Sequence, residues 1–244
     1  SGSGCSVLRS PRPKYRKRCW NRRFAFGWIA SKYGNTDFGP WEWGGTMNFH
    51  EIIQNSKNGE LRIKAIPEVL DYFSKEIELK KETLYNCKMV QAQDGVSVES
   101  DTLGALLYPL EGDTFALDMV IKPERYHEFG IALHVDKELE TGYFLRMNPK
   151  NQLVAWDMWP RGEQGRYQWQ IKGDVPYQIE TARKLPKAEE YRVHIIKEKD
   201  ICVVYINDEI VLSTRMYNHK DGYAGIYVVQ GNVKLIQYKE KRSE

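Results

Sequence analysis

The sequence lacks any pattern of metal-ligating residues. Its four cysteines, Cys5, Cys19, Cys87 and Cys202, form no C-x-x-C pair, and its five histidines are scattered over 244 residues. Structural and catalytic zinc sites instead draw on closely spaced cysteines or histidines. We therefore expect no metal and no cofactor. Cys202 stands in the apolar run ICVVYI, which predicts a small buried side chain.

Long apolar runs are also missing. No stretch approaches the roughly 18 apolar residues of a membrane-spanning helix, and the start, SGSGCSVLRSPRPK, lacks the apolar core of a signal peptide. We expect no membrane partner. The chain opens on a Ser-Gly repeat without methionine, which is typical of a trimmed, engineered or incomplete product.

A run of basic residues without acidic ones lies at one end of the chain. The net charge is +3, and eight basic residues fall between Arg9 and Arg23 with no acidic residue among them. A nucleic-acid-binding protein is expected to continue such a basic pattern on later elements, and this chain does not. We expect no nucleic-acid partner and predict that residues 1–19 form a flexible basic arm.

Short β-strand patterns fill most of the remaining sequence. They are rich in β-branched and aromatic residues and are bounded by Gly, Asn, Asp or Pro: FALDMVI, FGIALHVD, GYFLRMN, QLVAWDMW, YRVHIIKE, ICVVYIND, EIVLSTRMY, YAGIYVV and VKLIQYKE. Asn207-Asp208 predicts a tight hairpin, and Asp221-Gly222 predicts a second turn. The only helix predicted runs from Pro67 to Phe73. The pattern indicates an antiparallel sandwich or barrel.

The composition changes near this helix and divides the chain. Residues 20–66 hold four of the seven tryptophans in a strand-turn-strand rhythm, whereas alternating strands dominate after about residue 85. We predict strands of a first unit at 20–66, a connector at 67–85 and a β-sandwich domain at 86–244. The first unit has too few strands to cover both faces of its own sheet, so it must pack against something else.

The order of the aromatic and turn motifs resembles one enzyme family. NRRFAFGWIAS, PWEWGGTMNFHEI and NGELRIKAIPEVL are similar to the closing segment of the catalytic propeller of glycoside hydrolase family 32, whose members cleave β-fructosides. YRVHIIKEKDICVVYINDEIVLSTRMY is similar to the β-sandwich that follows it. The chain departs from the family at Phe49-His50-Glu51, where a Pro-Arg-Glu-like triplet is expected, and no role is assigned to His50.

The resemblance implies an all-β fold, made of partial propeller strands followed by a lectin-like antiparallel β-sandwich. It also implies hydrolysis of β-fructosides, but the family's Asn-Asp-Pro, Arg-Asp-Pro and Glu-Cys motifs occur nowhere in this sequence. Glycoside cleavage normally requires two carboxyl groups. Asp37, Glu42 and Glu51 lie near the tryptophans, but loop acids of this kind are more often solvated than catalytic. No catalytic residue is assigned.

Three tryptophans are candidate sugar contacts, because an indole face can cover the apolar side of a sugar ring. Trp41 and Trp43 face the same way in an extended strand, and they either rim a sugar pocket or seal the propeller against the sandwich. In a strand, Asp157 and Trp159 face outward while Trp156 and Met158 face inward. Trp159 can therefore bind a glycan together with Asp157 and Arg161. Packing of this cluster in a core or a seam is the alternative.

These observations predict the C-terminal portion of a hydrolase of β-fructosides that lacks the catalytic carboxylates. Its expected partners are a fructose-containing oligosaccharide or polysaccharide and propeller blades that this sequence does not contain. A non-catalytic carbohydrate-binding or purely structural β-sandwich domain is the alternative.

Overall fold

A computed structural model describes residues 22–160 and 183–243, and strands make up most of them. Alternating apolar positions and frequent turn residues account for this content. The strands are Arg23–Lys32 (β1), Trp41–Gln54 (β2), Leu61–Lys64 (β3), Lys75–Ile77 (β4), Thr83–Tyr85 (β5), Lys88–Ala92 (β6), Gly95–Leu110 (β7), Thr114–Arg125 (β8), Glu128–Val135 (β9), Gly142–Asn148 (β10), Leu153–Trp159 (β11), Tyr191–Glu198 (β12), Ile201–Ile206 (β13), Ile210–Arg215 (β14) and Gly222–Arg242 (β15). One α-helix, Pro67–Tyr72 (α1), lies between β3 and β4.

The strands form two antiparallel sheets. A small sheet has the order β1-β2-β3, and a large sheet has the order β11-β10-β9-β15-β8-β12-β13-β14. Four further strands belong to the large sheet: β4 and β7 pair with β15, and β5 and β6 pair with β7. The first half of β15 pairs with β9 and the second half with β8, while β7 follows β15 through both halves. The large sheet therefore turns over on itself, and its two layers enclose one apolar core, as in a β-sandwich.

The predicted strands between residues 114 and 240 are present, with one difference. The two predicted strands YAGIYVV and VKLIQYKE are parts of the single strand β15, which is irregular between Val229 and Gly231. A side chain at Gly231 would overlap the carbonyl oxygen of Arg125, so glycine permits close strand contact here instead of forming a turn. The Asn207-Asp208 hairpin is confirmed, and both residues have positive φ angles.

The predicted helix is also confirmed, with Pro67 in its first turn. The region from residue 67 to residue 85 contains two short strands besides the helix: β4 pairs with β15, and β5 pairs with β7. The division of the chain into units at these positions remains a prediction.

Cys202 is fully buried, as its apolar surroundings predicted.

Polar contacts fix the small sheet to β13, β14 and the loop after β14. Arg215 donates hydrogen bonds to the carbonyl oxygens of Ile29 and Ala30 and to the Thr46 hydroxyl. His50 contacts the Tyr205 hydroxyl at 2.8 Å. An apolar cluster of Ile29, Ala65, Val203 and Tyr205 fills the space between the sheets. One face of the small sheet is thereby used for packing.

The predicted all-β class with antiparallel sheets is confirmed. In the described part of the chain, no helix is long and apolar enough to cross a membrane. The predicted basic arm at 1–19 and the predicted glycan contact Arg161 lie outside the described residues.

Candidate functional site

A cavity of about 350 Å³ opens on the face of the large sheet that points away from the core. Four neighbouring strands supply its polar residues, namely Glu128 at the start of β9, Arg146 on β10, Asp157 on β11 and Tyr227 on β15. Its other lining residues are apolar: Leu103, Leu139, Phe144, Met158, Trp159 and Val229. A concave apolar site with a few converging polar groups is the usual form of a small-molecule site.

The strand register explains why these side chains meet. Gly130 on β9 lies opposite Arg146 on one side and Tyr227 on the other, so neither neighbour faces a side chain across the sheet. A Cβ atom at Gly130 would lie 2.8 Å from the Tyr227 ring and 2.0 Å from the Leu145 carbonyl oxygen. The missing side chain therefore lets the Tyr227 ring lie over β9.

One arginine links two carboxylates inside the cavity. Arg146 donates to Glu128 through Nη2 at 2.7 Å and through Nε at 3.1 Å, and Nη1 donates to Asp157 at 3.4 Å. The Tyr227 hydroxyl donates to the same Glu128 carboxylate at 3.2 Å. The cluster is a rigid arrangement of one cation, two carboxylates and one hydroxyl.

Raised pKa values keep Arg146 charged and Tyr227 protonated. The hydrogen bonds from Arg146 to Glu128 raise the pKa of the guanidinium above its ordinary value, so it stays charged. Burial raises the pKa of the Tyr227 hydroxyl, so it stays protonated and can donate. The cavity therefore offers fixed donors and acceptors side by side, which is the combination that neighbouring sugar hydroxyls require.

Aromatic rings form the walls of the cavity. Phe144 and Tyr227 are in edge-to-face contact with centroids 5.8 Å apart. Trp159 lies at the rim with 46% of its surface exposed. A tryptophan in this position can cover the apolar face of a sugar ring while the polar cluster binds its hydroxyls.

Sequence reasoning identified two residues of this site. Asp157 and Trp159 line the cavity and Trp156 belongs to the core cluster, as the alternation along β11 predicts, but Met158 both belongs to the core cluster and lines the cavity. The sugar contact at Trp159 remains a prediction. The sequence reasoning missed Glu128, Arg146 and Tyr227, which arrive from three other strands. A signal for Arg146 was present, because its charge interrupts an apolar strand between Leu145 and Met147.

The other two candidate tryptophans do not line this cavity. Trp41 is 43% exposed, and the Lys32 ammonium lies over its ring, 4.5 Å from the centroid. Trp43 is 91% exposed, and its ring centroid lies 6.3 Å from that of Trp28 on the small sheet. The structure therefore separates the predicted contacts into two places, and a sugar contact at Trp41 or Trp43 remains a prediction.

The acids near these tryptophans have structural partners. The Asp37 carboxylate accepts the Tyr143 hydroxyl at 2.5 Å and the backbone N–H groups of Tyr217 and Asn218. Glu42 accepts a hydrogen bond from Ser31, and Glu51 is ion-paired with Arg22. Each carboxylate is thus bound to neighbouring residues of its own chain.

Comparison with known proteins finds no matching family model and no matching curated protein. Solved structures do match. The carbohydrate-binding module CBM66 from Bacillus subtilis is 16% identical, with a TM-score of 0.55 over 67% of this chain and 97% of the module. Exo-inulinase from Aspergillus awamori is 13% identical, with a TM-score of 0.59 over 92% of this chain and 41% of the enzyme.

Fructan 1-exohydrolase IIa from Cichorium intybus is 12% identical, with a TM-score of 0.52 over 92% of this chain and 46% of the enzyme. The chain has the fold of the C-terminal part of family 32 glycoside hydrolases. At these identities the comparison establishes a shared fold alone. The chain spans less than half of the length of these two hydrolases, whereas it covers almost all of the binding module.

Proposed function

We propose that this chain is a non-catalytic sugar-binding domain and forms the C-terminal portion of a hydrolase of β-fructosides. The cavity of Glu128, Arg146, Asp157, Tyr227 and Trp159 takes one sugar residue of a fructose-containing oligosaccharide or polysaccharide. The observation that carries the proposal is the pair of carboxylates held around one guanidinium beside an exposed indole ring.

The chemistry of the cavity suits binding better than cleavage. A glycosidase places the bond that it cleaves between two carboxyl groups. Here Arg146 joins Glu128 and Asp157, and its guanidinium occupies the space between them. The Glu128 carboxylate and the Arg146 guanidinium can also bind sugar hydroxyls, because charged groups form the stronger hydrogen bonds.

Fructose is the proposed sugar because of the solved structures that share this fold. One of them is a fructan 1-exohydrolase in complex with 1-kestose. The Asn-Asp-Pro, Arg-Asp-Pro and Glu-Cys motifs of family 32 do not occur in this sequence, and we infer that the catalytic carboxylates belong to propeller blades outside it. We therefore expect the chain by itself to hydrolyse neither sucrose nor inulin nor levan.

Calorimetric titration of the full chain with 1-kestose tests the proposal. We expect saturable binding that weakens at least tenfold in Arg146→Gln, equivalent to about 1.4 kcal/mol or more. Arg192→Gln is the matched control, because Arg192 is paired with Glu190 on the other layer of the large sheet. No binding by the unmodified chain, or equal loss in both variants, would reject the proposal, and equal binding of maltotriose would reject fructose selectivity.

A further inference from the structure

A second cavity lies beside strand β7, next to the proposed sugar cavity, and we name it the polar groove. It has a volume of about 490 Å³. Its lining residues are mostly polar and come from the segment that leads from β5 into β6 and from the middle of β7: Asn86, Cys87, Lys88, Glu99, Ser100, Asp101 and Thr102. None of these residues takes part in the proposed function.

The strand pairing makes the polar groove a continuation of the sugar cavity. Val229 on β15 and Leu103 on β7 lie opposite each other, and both line the sugar cavity. Thr102, which precedes Leu103 on β7, lines the polar groove. Tyr85 packs against the same apolar cluster as Leu103 and Val229, so the segment that leads into Asn86 starts on the face that carries the sugar cavity. The two cavities are therefore neighbours on one surface.

A β-bulge in β7 exposes polar side chains of the groove. Leu103 pairs with Val229 and Ser100 pairs with Gly231. Asp101 and Thr102 therefore share the place opposite a single residue of β15. A bulge of this kind redirects side chains, and both Asp101 and Thr102 are exposed.

Hydrogen bonds hold the groove in one shape before any ligand binds. The Asn86 side-chain amide donates to the Thr102 hydroxyl at 2.6 Å and to the Leu103 carbonyl oxygen at 3.2 Å. The buried Ser100 hydroxyl donates to the Asn86 carbonyl oxygen at 2.7 Å. These bonds join the segment before β6 to the bulge in β7. A preorganised site of this kind loses less conformational entropy when a ligand binds.

The groove also retains groups that can bind a ligand. Within the described part of the chain, the side chains of Asp101 and Lys88 form no hydrogen bond or ion pair. The Thr102 hydroxyl still has its own proton to donate. A metal cation is disfavoured, because Lys88 brings positive charge and Glu99 is already paired with Arg125. An acceptor, an ammonium group and a hydroxyl side by side instead suit the hydroxyl groups of a sugar.

We propose that the polar groove is a second sugar subsite, which binds a further residue of the oligosaccharide that occupies the sugar cavity. This inference rests on the proposed function and extends it to a preference for long ligands. Neighbouring strands are about 4.8 Å apart, so the step from β9 across β15 to β7 is roughly 10 Å. A single sugar residue in the cavity does not reach the groove, whereas a longer oligosaccharide binds in both places and gains affinity.

Calorimetric titration of the full chain with fructose and with an inulin-type pentasaccharide tests the second subsite. We expect the pentasaccharide to bind at least tenfold more tightly than fructose. Asp101→Ala is expected to weaken pentasaccharide binding about tenfold, because hydrogen bonds to charged groups are the stronger ones. The same variant should leave fructose binding unchanged, because fructose occupies the sugar cavity alone. Glu42→Ala is the matched control, because it removes an exposed carboxylate from the small sheet.

The outcomes separate this inference from the proposed function. Equal affinity for the two sugars, or pentasaccharide binding that Asp101→Ala leaves intact, would overturn the second subsite and leave the sugar cavity in place. Equal weakening of fructose and pentasaccharide binding in Asp101→Ala would also overturn it. No binding of either sugar by the unmodified chain would reject the proposed function and the subsite with it. Lys88→Gln is a second variant, expected to lower the same affinity ratio, and circular dichroism establishes that each variant is folded.

Discussion

At the scale of single residues, the proposed sugar cavity depends on side chains that are far apart in sequence. Asp157 and Trp159 could be found from the alternation along one strand. Glu128, Arg146 and Tyr227 could not, because their proximity results from the pairing of β9 with β10 and β15. Gly130 is equally inconspicuous in the sequence, although it lies between Arg146 and Tyr227 in the sheet.

Gly130→Ala is expected to damage both stability and binding. The new methyl group would overlap the Leu145 carbonyl oxygen and crowd the Tyr227 ring, which costs about 1–3 kcal/mol and shifts the walls of the cavity. Urea unfolding and 1-kestose titration measure the two effects. Gly27→Ala is the control, because a Cβ atom there meets nothing within 4 Å. Equal stability losses in the two variants would contradict the account.

Trp159→Ala and Trp156→Ala are expected to separate binding from folding. Trp159 is at the rim, so its loss should weaken sugar binding about tenfold or more and change the free energy of unfolding by less than about 1 kcal/mol. Trp156 is fully buried, so its loss should cost about 3–5 kcal/mol. Titration and urea unfolding of both variants check this. Unchanged binding of 1-kestose by Trp159→Ala would contradict the proposed role of Trp159.

At the scale of elements, the sequence predicted most strands of the large sheet and missed the long strand β7. GVSVESDTLGALLYPL contains glycine, aspartate and proline, which are depleted in strands, and its pattern changes where it passes from one layer to the other. The division of β15 into two predicted strands had a similar cause, since Gln230-Gly231-Asn232 resembles a turn. Tertiary pairing outweighed local preference in both cases.

The loop between β1 and β2 is predicted to depend on Asp37. This buried carboxylate accepts hydrogen bonds from Tyr143 on β10 and from the backbone after β14, so it ties the small sheet to the large one. Asp37→Ala leaves these donors unsatisfied and should cost about 1–3 kcal/mol or more. Thermal unfolding compares Asp37→Ala with the control Glu42→Ala. Glu42 is an exposed residue at the start of β2, so its replacement is expected to change the free energy of unfolding by no more than about 0.5 kcal/mol. A similar loss in both variants would show that Asp37 has no special role.

At the scale of the whole molecule, the two sheets have separate tasks. The large sheet encloses the core and carries the proposed sugar cavity, and the small sheet packs on it with one face and leaves its other face exposed. The sequence predicted that a few strands rich in tryptophan would need a partner surface, and the exposure of Trp43 agrees with that expectation. It could not predict which face stays open, because that follows from contacts with residues more than a hundred positions away.

Acid is expected to destabilise the whole fold through buried histidines. Burial lowers the pKa of His134 to about 3 and also lowers the pKa values of His50 and His219. Below about pH 6.5 the unfolded chain therefore binds protons that the folded chain excludes, and the free energy of unfolding falls as pH falls.

For His134 alone the loss is roughly 2 kcal/mol between pH 6.5 and pH 5, at about 1.4 kcal/mol per pH unit for one proton. Urea unfolding at both pH values measures it. His134→Gln should flatten this dependence, whatever its effect on stability at neutral pH. An unchanged slope in the variant would contradict the assignment to His134.

Binding of a fructose-containing sugar in the cavity on the large sheet can be observed directly by nuclear magnetic resonance. The experiment follows the indole N–H resonances of the seven tryptophans in ¹⁵N-labelled chain during titration with 1-kestose. We expect a saturable shift at Trp159, assigned with Trp159→Phe, together with backbone shifts at Gly130 and Arg146. Shifts confined to Trp41 and Trp43, or no shift at any tryptophan, would contradict it.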